Sequence, residues 1–370
     1  MDLSTLRNRI DEIDSEILKL FIERMDVCRQ VGEYKKTHDL PVMQGGREQQ
    51  IIDNIRANSP DDLKDGAAVL FQNIMDISKS IQNIGMAADK KREYSSFAAE
   101  KAGKIACQGT DGAYSAIACK KLFGDKPSVF YHSFEDVFDA VESGECEYGL
   151  LPLENSTIGS ITETYELMGK RQFFINSLVR VEITHCLAAK KGTKLSDVKK
   201  VYSKNEALSQ CSKFLKDSGF ETCDFANTAL SAEFVSNSSE SIACICSESC
   251  AELLGLEILS RNIADAQPNY TRFICFSKNL TVNSDSDIVS VLLTIPHTKG
   301  ALNRLLTKFS VNGINLTKIE SKSIAGSDFE FMFFLDFVGN CLDAKVTALL
   351  DDLKKEMSSF RLLGNFKEML

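Results

Sequence analysis

Apolar residues at Leu3, Leu6, Ile10, Ile13, Ile17, Leu20, Val27 and Val31 recur at steps of three, four or seven, and no proline interrupts the chain before Pro41. That spacing predicts one amphipathic helix over Leu3–Thr37. At about 1.5 Å per residue it would be about 53 Å long, too long for a small domain to cover. Three cations, Arg7, Arg24 and Lys35, sit among the apolar positions. On a wheel of about 100° per residue, Arg24 and Lys35 fall within about 20° of each other, and Arg7 points about 100° away from Arg24. A long helix with cations aimed in two directions suggests a self-associating helical domain that cages a small anion. Arg7 would then serve a different subunit's site.

Two further helices follow, from about Gly46 to Ala57 and from about Asp61 to Ile84, the latter with Ser59 and Pro60 as its start signal. Residues 86–103 read as a polar connector. From Lys104 to Lys278 strand and helix patterns alternate. IACQ is a strand, GTDG a tight loop and AYSAIACKKLFG a helix, and the pattern repeats through EYGLLPLEN. This order predicts an α/β sheet with parallel strands. A second such run begins near Ile183 and includes VEITHCLAAKK, KKVYS, a helix over 206–218 and SIACICS. If RFICFS (272–277) returns to the first run, two α/β lobes flank a cleft. The last ~80 residues read strand (288–295), helix (299–311), strand (314–321), strand (329–337), helix (342–357) and a short strand near 360–366, a β-α-β-β-α-β unit.

Composition narrows the function classes. The chain has 370 residues, enough for two or three domains with their own cores. No apolar run reaches the ~18 residues of a membrane span, and the first residues read as a capped acidic helix rather than a secretory signal. A net charge of −9 argues against general nucleic-acid binding. An anionic substrate therefore calls for local clusters of Arg and Lys. Twelve cysteines without a signal point to a reducing, cytoplasmic setting in which they act as small core residues. Cys244, Cys246 and Cys250 lack CxxC spacing and the chain has four histidines, so no metal site is expected. Cys186 follows His185 in a strand, where adjacent side chains face opposite ways, which argues against a Cys/His nucleophile.

In the helical region Arg47 and Glu48 open the second helix, and Ser78 and Gln82 share one face of the third. Singly, each is an ordinary position on a bundle surface. In order, however, LRNRIDEIDSEILKLFIERMDVCRQVGEYK, REQQ and ISKSIQ resemble the all-helical chorismate mutase domain over nearly all of 1–84. The resemblance implies an intertwined dimer that holds chorismate, a dicarboxylate, through an intramolecular Claisen rearrangement without nucleophile or cofactor. It implies carboxylate binding by Arg24 and by Arg7 reaching the partner's site, with Lys35 and Gln82 near the breaking ether oxygen. Arg47 and Glu48 would meet the ring hydroxyl, with Ser78 nearby. Gln44 stands where family members often carry an acid, which predicts altered affinity rather than a dead site.

In the α/β region GTDGAYS (109–115) is a glycine turn entering a helix, where free N–H groups can hold a carboxylate. It lacks the Lys-Ser/Thr of a nucleotide loop. Asn155, Ser156 and Thr157 in PLENSTIGSI (152–161) can cap a helix, and NYTRF (269–273) alone reads as a strand edge. Together with VYSKNEALSQC (201–211) these segments resemble the prephenate dehydratase domain over about 104–279. The resemblance makes Thr271 the general acid for the departing ring hydroxyl of prephenate, which then aromatises with loss of CO2 to phenylpyruvate. Asn155, Ser203, Gln210 and Arg272 become orienting groups and carboxylate binders, with Ser115 and Thr157 as weaker candidates. Lys204-Asn205-Glu206 replaces the family's usual His-Pro-Gln, which weakens any role for those three.

The C-terminal unit resembles the ACT regulatory domain through KGALNRLL (299–306) and NLTKIESKS (315–323). This implies L-phenylalanine binding at Gly300, Ala301, Leu302, Asn315, Glu320 and Ser321, with Lys322 and Ser323 in place of the common Arg-Pro. The whole chain thus resembles the bifunctional chorismate mutase–prephenate dehydratase family. The implied order is an all-α three-helix mutase domain (1–87), a linker (88–103), a two-lobed α/β dehydratase domain of periplasmic-binding-protein-like kind (104–279) and an α+β ferredoxin-like ACT domain (288–366). A cofactor-free homodimer or higher homo-oligomer in L-phenylalanine biosynthesis follows, with chorismate, prephenate and L-phenylalanine as its small-molecule partners. Arogenate in place of prephenate, or a non-catalytic amino-acid-sensing binding protein, are the alternatives.

Overall fold

The computed structural model describes residues 2–38, 40, 45–87, 92–324 and 331–370. The helix expected at the start is present as α1 (Leu3–Thr37), capped by Asp2, whose side chain accepts from the Thr5 N–H. It is followed by α2 (Gly45–Ala57) and α3 (Lys64–Ala87). α3 starts three residues later than Asp61, because the Pro60 carbonyl accepts from both Leu63 and Lys64 and holds a separate turn ahead of the helix. Gln44 lies outside the described residues.

The chain divides into two compact units, Met1–Glu93 with Asp287–Leu362, and Tyr94–Ser286 with Leu363–Leu370. In the second unit, one lobe holds β1 (Ile105–Gln108), α4 (Tyr114–Phe123), β2 (Ser128–Tyr131), α5 (Phe134–Ser143), β3 (Tyr148–Asn155), β4 (Gly159–Ser160), α6 (Thr162–Lys170) and β5 (Phe174–Glu182). The other holds β6 (Cys186–Ala189), β7 (Lys200–Ser203), α7 (Asn205–Gln210), α8 (Ser212–Ser218), β8 (Glu221–Asp224), α9 (Thr228–Asn237), β9 (Ile242–Cys246), α10 (Glu248–Leu253) and β10 (Glu257–Ser260). The helix expected over 206–218 is two helices, parted at Cys211.

β11 (Tyr270–Ser277) returns to the first lobe, giving the order β5-β11-β3-β1-β2, while the second lobe runs β10-β6-β9-β7-β8. β1 pairs parallel with β2 and β3, but β11 is antiparallel to both β3 and β5, so the sheet is mixed rather than all-parallel. Gly149 on β3 is required by this pairing, since a Cβ there would lie 2.3 Å from the ring of Phe276 on β11. From Tyr94 onward the expected connector is packed chain. Phe97 stacks edge-on against Phe123 and Tyr148, and its N–H donates to Asn283 at 2.8 Å. Cys244, Cys246 and Cys250 lie with Cys186 and Ala232 in the apolar core of the second lobe.

The first unit adds to its three helices β12 (Ile288–Thr294), α11 (Ala301–Val311), β13 (Leu316–Ser323), β14 (Phe331–Val338), α12 (Ala344–Glu356) and the start of β15 (Ser359–Phe366), with β14 antiparallel to both β12 and β13. From Leu363 the chain belongs again to the second unit, where Gly364 and β16 (Glu368–Met369) pair with β5. Helix α1 buries little. Only Met25 and Gly32 of its residues are buried, while Leu3, Leu6, Ile10, Ile13, Ile17, Leu20 and Val27 are exposed in the single chain.

Candidate active sites

A cavity of about 490 Å³ opens between the two lobes of the second unit. Its walls start where strands hand over to helices. β1 leads to α4, β2 to α5, β7 to α7 and β8 to α9, and residues from all four junctions line it: Tyr114 and Ser115, Ser133 and Phe134, Lys204 and Ala207, Asn227 and Thr228. Open α/β sheets place ligands beyond the carboxyl ends of their strands. There the helix N-termini present N–H groups and the positive ends of their dipoles. Among the described lining residues Lys204 alone is Lys or Arg, and it pairs with Glu206 at 3.2 Å. The Arg/Lys cluster expected for an anion site is therefore not found among the described residues that line this cavity.

Thr271 lines this cavity from β11 and is 8% exposed. Its surroundings have a fixed hydrogen-bond polarity that starts at the backbone. The Asn155 Oδ1 accepts from the N–H groups of Thr157 (2.9 Å) and Ile158 (3.0 Å), as in an Asx turn. Its Nδ2 must then be the donor end, and it donates to Thr271 Oγ1 at 3.0 Å and to Asn269 Oδ1 at 2.7 Å. Asn269 in turn donates from Nδ2 to Gln210 Oε1 at 3.1 Å. The same Gln210 oxygen lies 2.8 Å from His185 Nε2, so that ring nitrogen carries the proton. Thr271 already accepts from Asn155, and its own proton is left to be given away.

His185 is 2% exposed, and burial pushes its pKa below the usual imidazole value, with the Gln210 bond opposing the shift only partly. It is therefore a neutral donor at pH 7. The sign for stability follows: the unfolded chain takes up this proton first, so as pH falls through the ordinary value of about 6.5 the folded state loses stability. We expect thermal unfolding temperatures to drop between pH 7.5 and 5.5, and to drop less in His185→Gln. An equal drop in both proteins would remove His185 as a cause.

The other sequence candidates divide. Ser115, Asn155 and Gln210 line the cavity, and Thr157 lines a neighbouring hollow of about 510 Å³ with Gln210 and Asn269. Ser203 is fully buried and donates to the Ile245 carbonyl at 2.8 Å. Arg272 is not among the cavity residues. It pairs with Glu154 at 2.8 Å and Glu368 at 2.9 Å, because its strand turns successive side chains to opposite faces. Asn269 and Tyr114 are not among the sequence candidates, and His185 is weighed there only beside Cys186 as a nucleophile pair. Tyr114 donates to the Thr184 carbonyl at 2.6 Å and meets the His185 ring edge-on. His185 faces the cavity while Cys186 points into the core, the alternation that also disposes of a Cys/His pair.

In the first unit, Arg24 of α1 donates to Ser78 Oγ of α3 at 2.6 Å, and Ser78 is buried. Gln82 lies against Gly32, where a Cβ would come within 2.9 Å of its Cγ, and its Oε1 is buried without a hydrogen-bond partner. Lys35 follows Gly32 by three residues, hence on the same face of α1. Glu48 reaches Lys79 at 3.2 Å, and Arg47 is exposed. Arg7 stands 17 residues before Arg24, about 26 Å along the helix axis, outside the reach of this cluster. In the C-terminal part Gly300 caps α11 with φ of 76°, Ala301 is buried, Leu302, Asn315 and Ser321 are exposed, and Glu320 pairs with Lys322 at 3.2 Å.

Two family models match the chain in order, chorismate mutase type II over residues 6–83 and prephenate dehydratase over residues 105–281. A bifunctional chorismate mutase/prephenate dehydratase from Aquifex aeolicus is 30% identical and aligns with 100% of this chain and 99% of its own length. A solved prephenate dehydratase from Arthrobacter aurescens, in complex with L-Phe, is 26% identical with a TM-score of 0.66 over 71% of this chain and 89% of its own. A solved chain described as a novel type of quorum-quenching acylase is 28% identical, also with a TM-score of 0.66, over 72% of this chain and 98% of its own. One fold thus carries different activities, and it is the end-to-end match, mutase helices included, that decides. The chain belongs to the bifunctional chorismate mutase/prephenate dehydratase family.

Proposed function

We propose that chorismate is rearranged to prephenate in the helical region and that prephenate is converted to phenylpyruvate in the cavity between the α/β lobes, the latter with Thr271 as general acid. The observation that carries the second assignment is the hydrogen-bond polarity around Thr271. Asn155 donates to its oxygen, and Thr271 lines the cavity, which supports use of its proton on a ligand there. As CO2 leaves, the electron pair of the breaking C–C bond moves into the ring and the ring C–O bond breaks. Thr271 protonates the departing hydroxide to water and recovers its proton from solvent. Aromatisation supplies the driving force, so a weak acid suffices when it is well placed. Asn155, Asn269 and Gln210 orient Thr271, and the helix N-termini hold the carboxylates. Arg272 and Ser203 serve the fold.

In the mutase site Arg24 and Ser78 form the carboxylate end, with Lys35 and Gln82 at the ether oxygen and Glu48 and Arg47 at the ring hydroxyl. The reaction needs only a folded substrate conformer and stabilisation of charge on the ether oxygen. The exposed apolar stripe of α1 and the distance of Arg7 from Arg24 support a homodimer in which each Arg7 completes the partner's site. The 300–302 and 315–321 segments form the L-phenylalanine site of an ACT domain, which restrains the dehydratase. Incubation of the purified protein with chorismate tests this. Loss of chorismate and appearance of phenylpyruvate, slowed by added L-phenylalanine, is the expected result. A protein that turns over neither chorismate nor prephenate would leave only the amino-acid-sensing reading, and faster turnover of arogenate than of prephenate would change the substrate.

A further inference from the structure

Lys79 lies on α3 between Ser78 and Gln82 but bonds to a different set of groups. On a residue 9% exposed, its ammonium stands 3.2 Å from Glu48 of α2, 2.9 Å from Asp76 and 3.6 Å from Glu356 of α12. The other carboxylate oxygen of Glu356 takes Lys308 of α11 at 2.8 Å, and Lys308, 5% exposed, also meets Asp352 at 2.5 Å. Alongside, Ser80 donates to Asn312 at 2.8 Å and Asn83 to Asp352 at 3.2 Å, so consecutive turns of α3 are fastened to the C-terminal helices within one unit.

A methionine would fill the same space without the cost of a buried charge. Burial works against the Lys79 charge, and Asp76, Glu356 and Glu48 outweigh it, raising its pKa. The ammonium is therefore present at all working pH values and ties three carboxylates from three helices to one point. One of the three is Glu48, placed at the ring hydroxyl of chorismate.

We infer that Lys79 is a positioning residue for the mutase step, through which Glu356 of the C-terminal helix sets the place of the Glu48 carboxylate. This rests on the assignment of Glu48 to the mutase site. The mutase would then depend on the C-terminal α+β elements for its geometry and not only on its own three helices.

The test is a mutant cycle in the full-length protein, with chorismate and prephenate turnover measured separately. Lys79→Met is expected to lower mutase kcat/KM at least tenfold, and Glu356→Gln, which keeps its shape and covers the case that Lys79→Met unfolds the bundle, about fivefold. Prephenate turnover should stay unchanged in both. Because Lys79 acts through Glu48, Lys79→Met in a Glu48→Gln background should cost nothing further. Multiplying losses would make Lys79 a general support of the bundle and overturn the inference, as would a Glu356→Gln enzyme with wild-type mutase kinetics. A silent Glu48→Gln would instead remove Glu48 from the site, a separate failure.

Discussion

Thr271→Val should abolish phenylpyruvate formation from supplied prephenate while chorismate is still consumed at the wild-type rate. Valine matches threonine in shape and keeps the β-branched side chain that suits strand β11, so folding is preserved. What is lost is one hydroxyl, which accepts from Asn155 and lines the cavity. General acid catalysis contributes about 10²–10⁴-fold, and the loss should fall in kcat, because the groups proposed to hold the carboxylates are untouched. The Asn155 donor is left without that acceptor but keeps Asn269 at 2.7 Å, so only a small stability change is expected. Accumulating prephenate in an assay started with chorismate is the readout. Retained phenylpyruvate formation within a few-fold of wild type would place the acid elsewhere.

Lys35→Ala should do the reverse. Lys35 follows Gly32 by about one turn of α1, and Gly32 approaches Gln82 closely, so the proposed mutase site would have the Lys35 ammonium and the Gln82 amide at one end and Arg24 with Ser78 at the other. Negative charge grows on the ether oxygen in the transition state, and a donor aimed there is worth about 10²–10³-fold. Loss of chorismate should slow by that factor, and supplied prephenate should react normally, because the cavity around Thr271 is built from other residues. If one substitution removed both activities in a folded protein, the separation into two sites would fail.

Much of this was legible beforehand, for reasons that differ by element. The bounds of α1 follow from an unbroken 3.6-residue pattern and a capping aspartate, signals local to the chain. The direction of β11 is not local. RFICFS reads as a strand in either orientation, and only pairing with β3 and β5 makes it antiparallel. Asn155, Gln210 and Thr271 are visible because they sit in compact motifs, whereas His185 enters the sequence analysis only beside Cys186 as a nucleophile pair, which strand alternation argues against. Arg272 follows Thr271 in a strand, so alternation turns it away from the cavity that Thr271 lines and toward Glu154 and Glu368. For Lys79 the sequence offers only the i,i+3 pair with Asp76, an ordinary helix-surface signal, because its other partners come from α2 and α12, the latter hundreds of residues away.

The uncovered stripe of α1 has a consequence for mixtures of damaged subunits. Within the proposed dimer, a chain lacking Arg7 still owns Lys35, and a chain lacking Lys35 still lends Arg7. Each is inactive as a mutase when pure, yet a hybrid pair contains one complete site. Random exchange of two such subunits across a two-fold interface makes half the dimers hybrid, with one of their two sites intact, so about a quarter of mutase activity should return on mixing. Two inert preparations would thus complement each other by trading a single arginine along a shared helix.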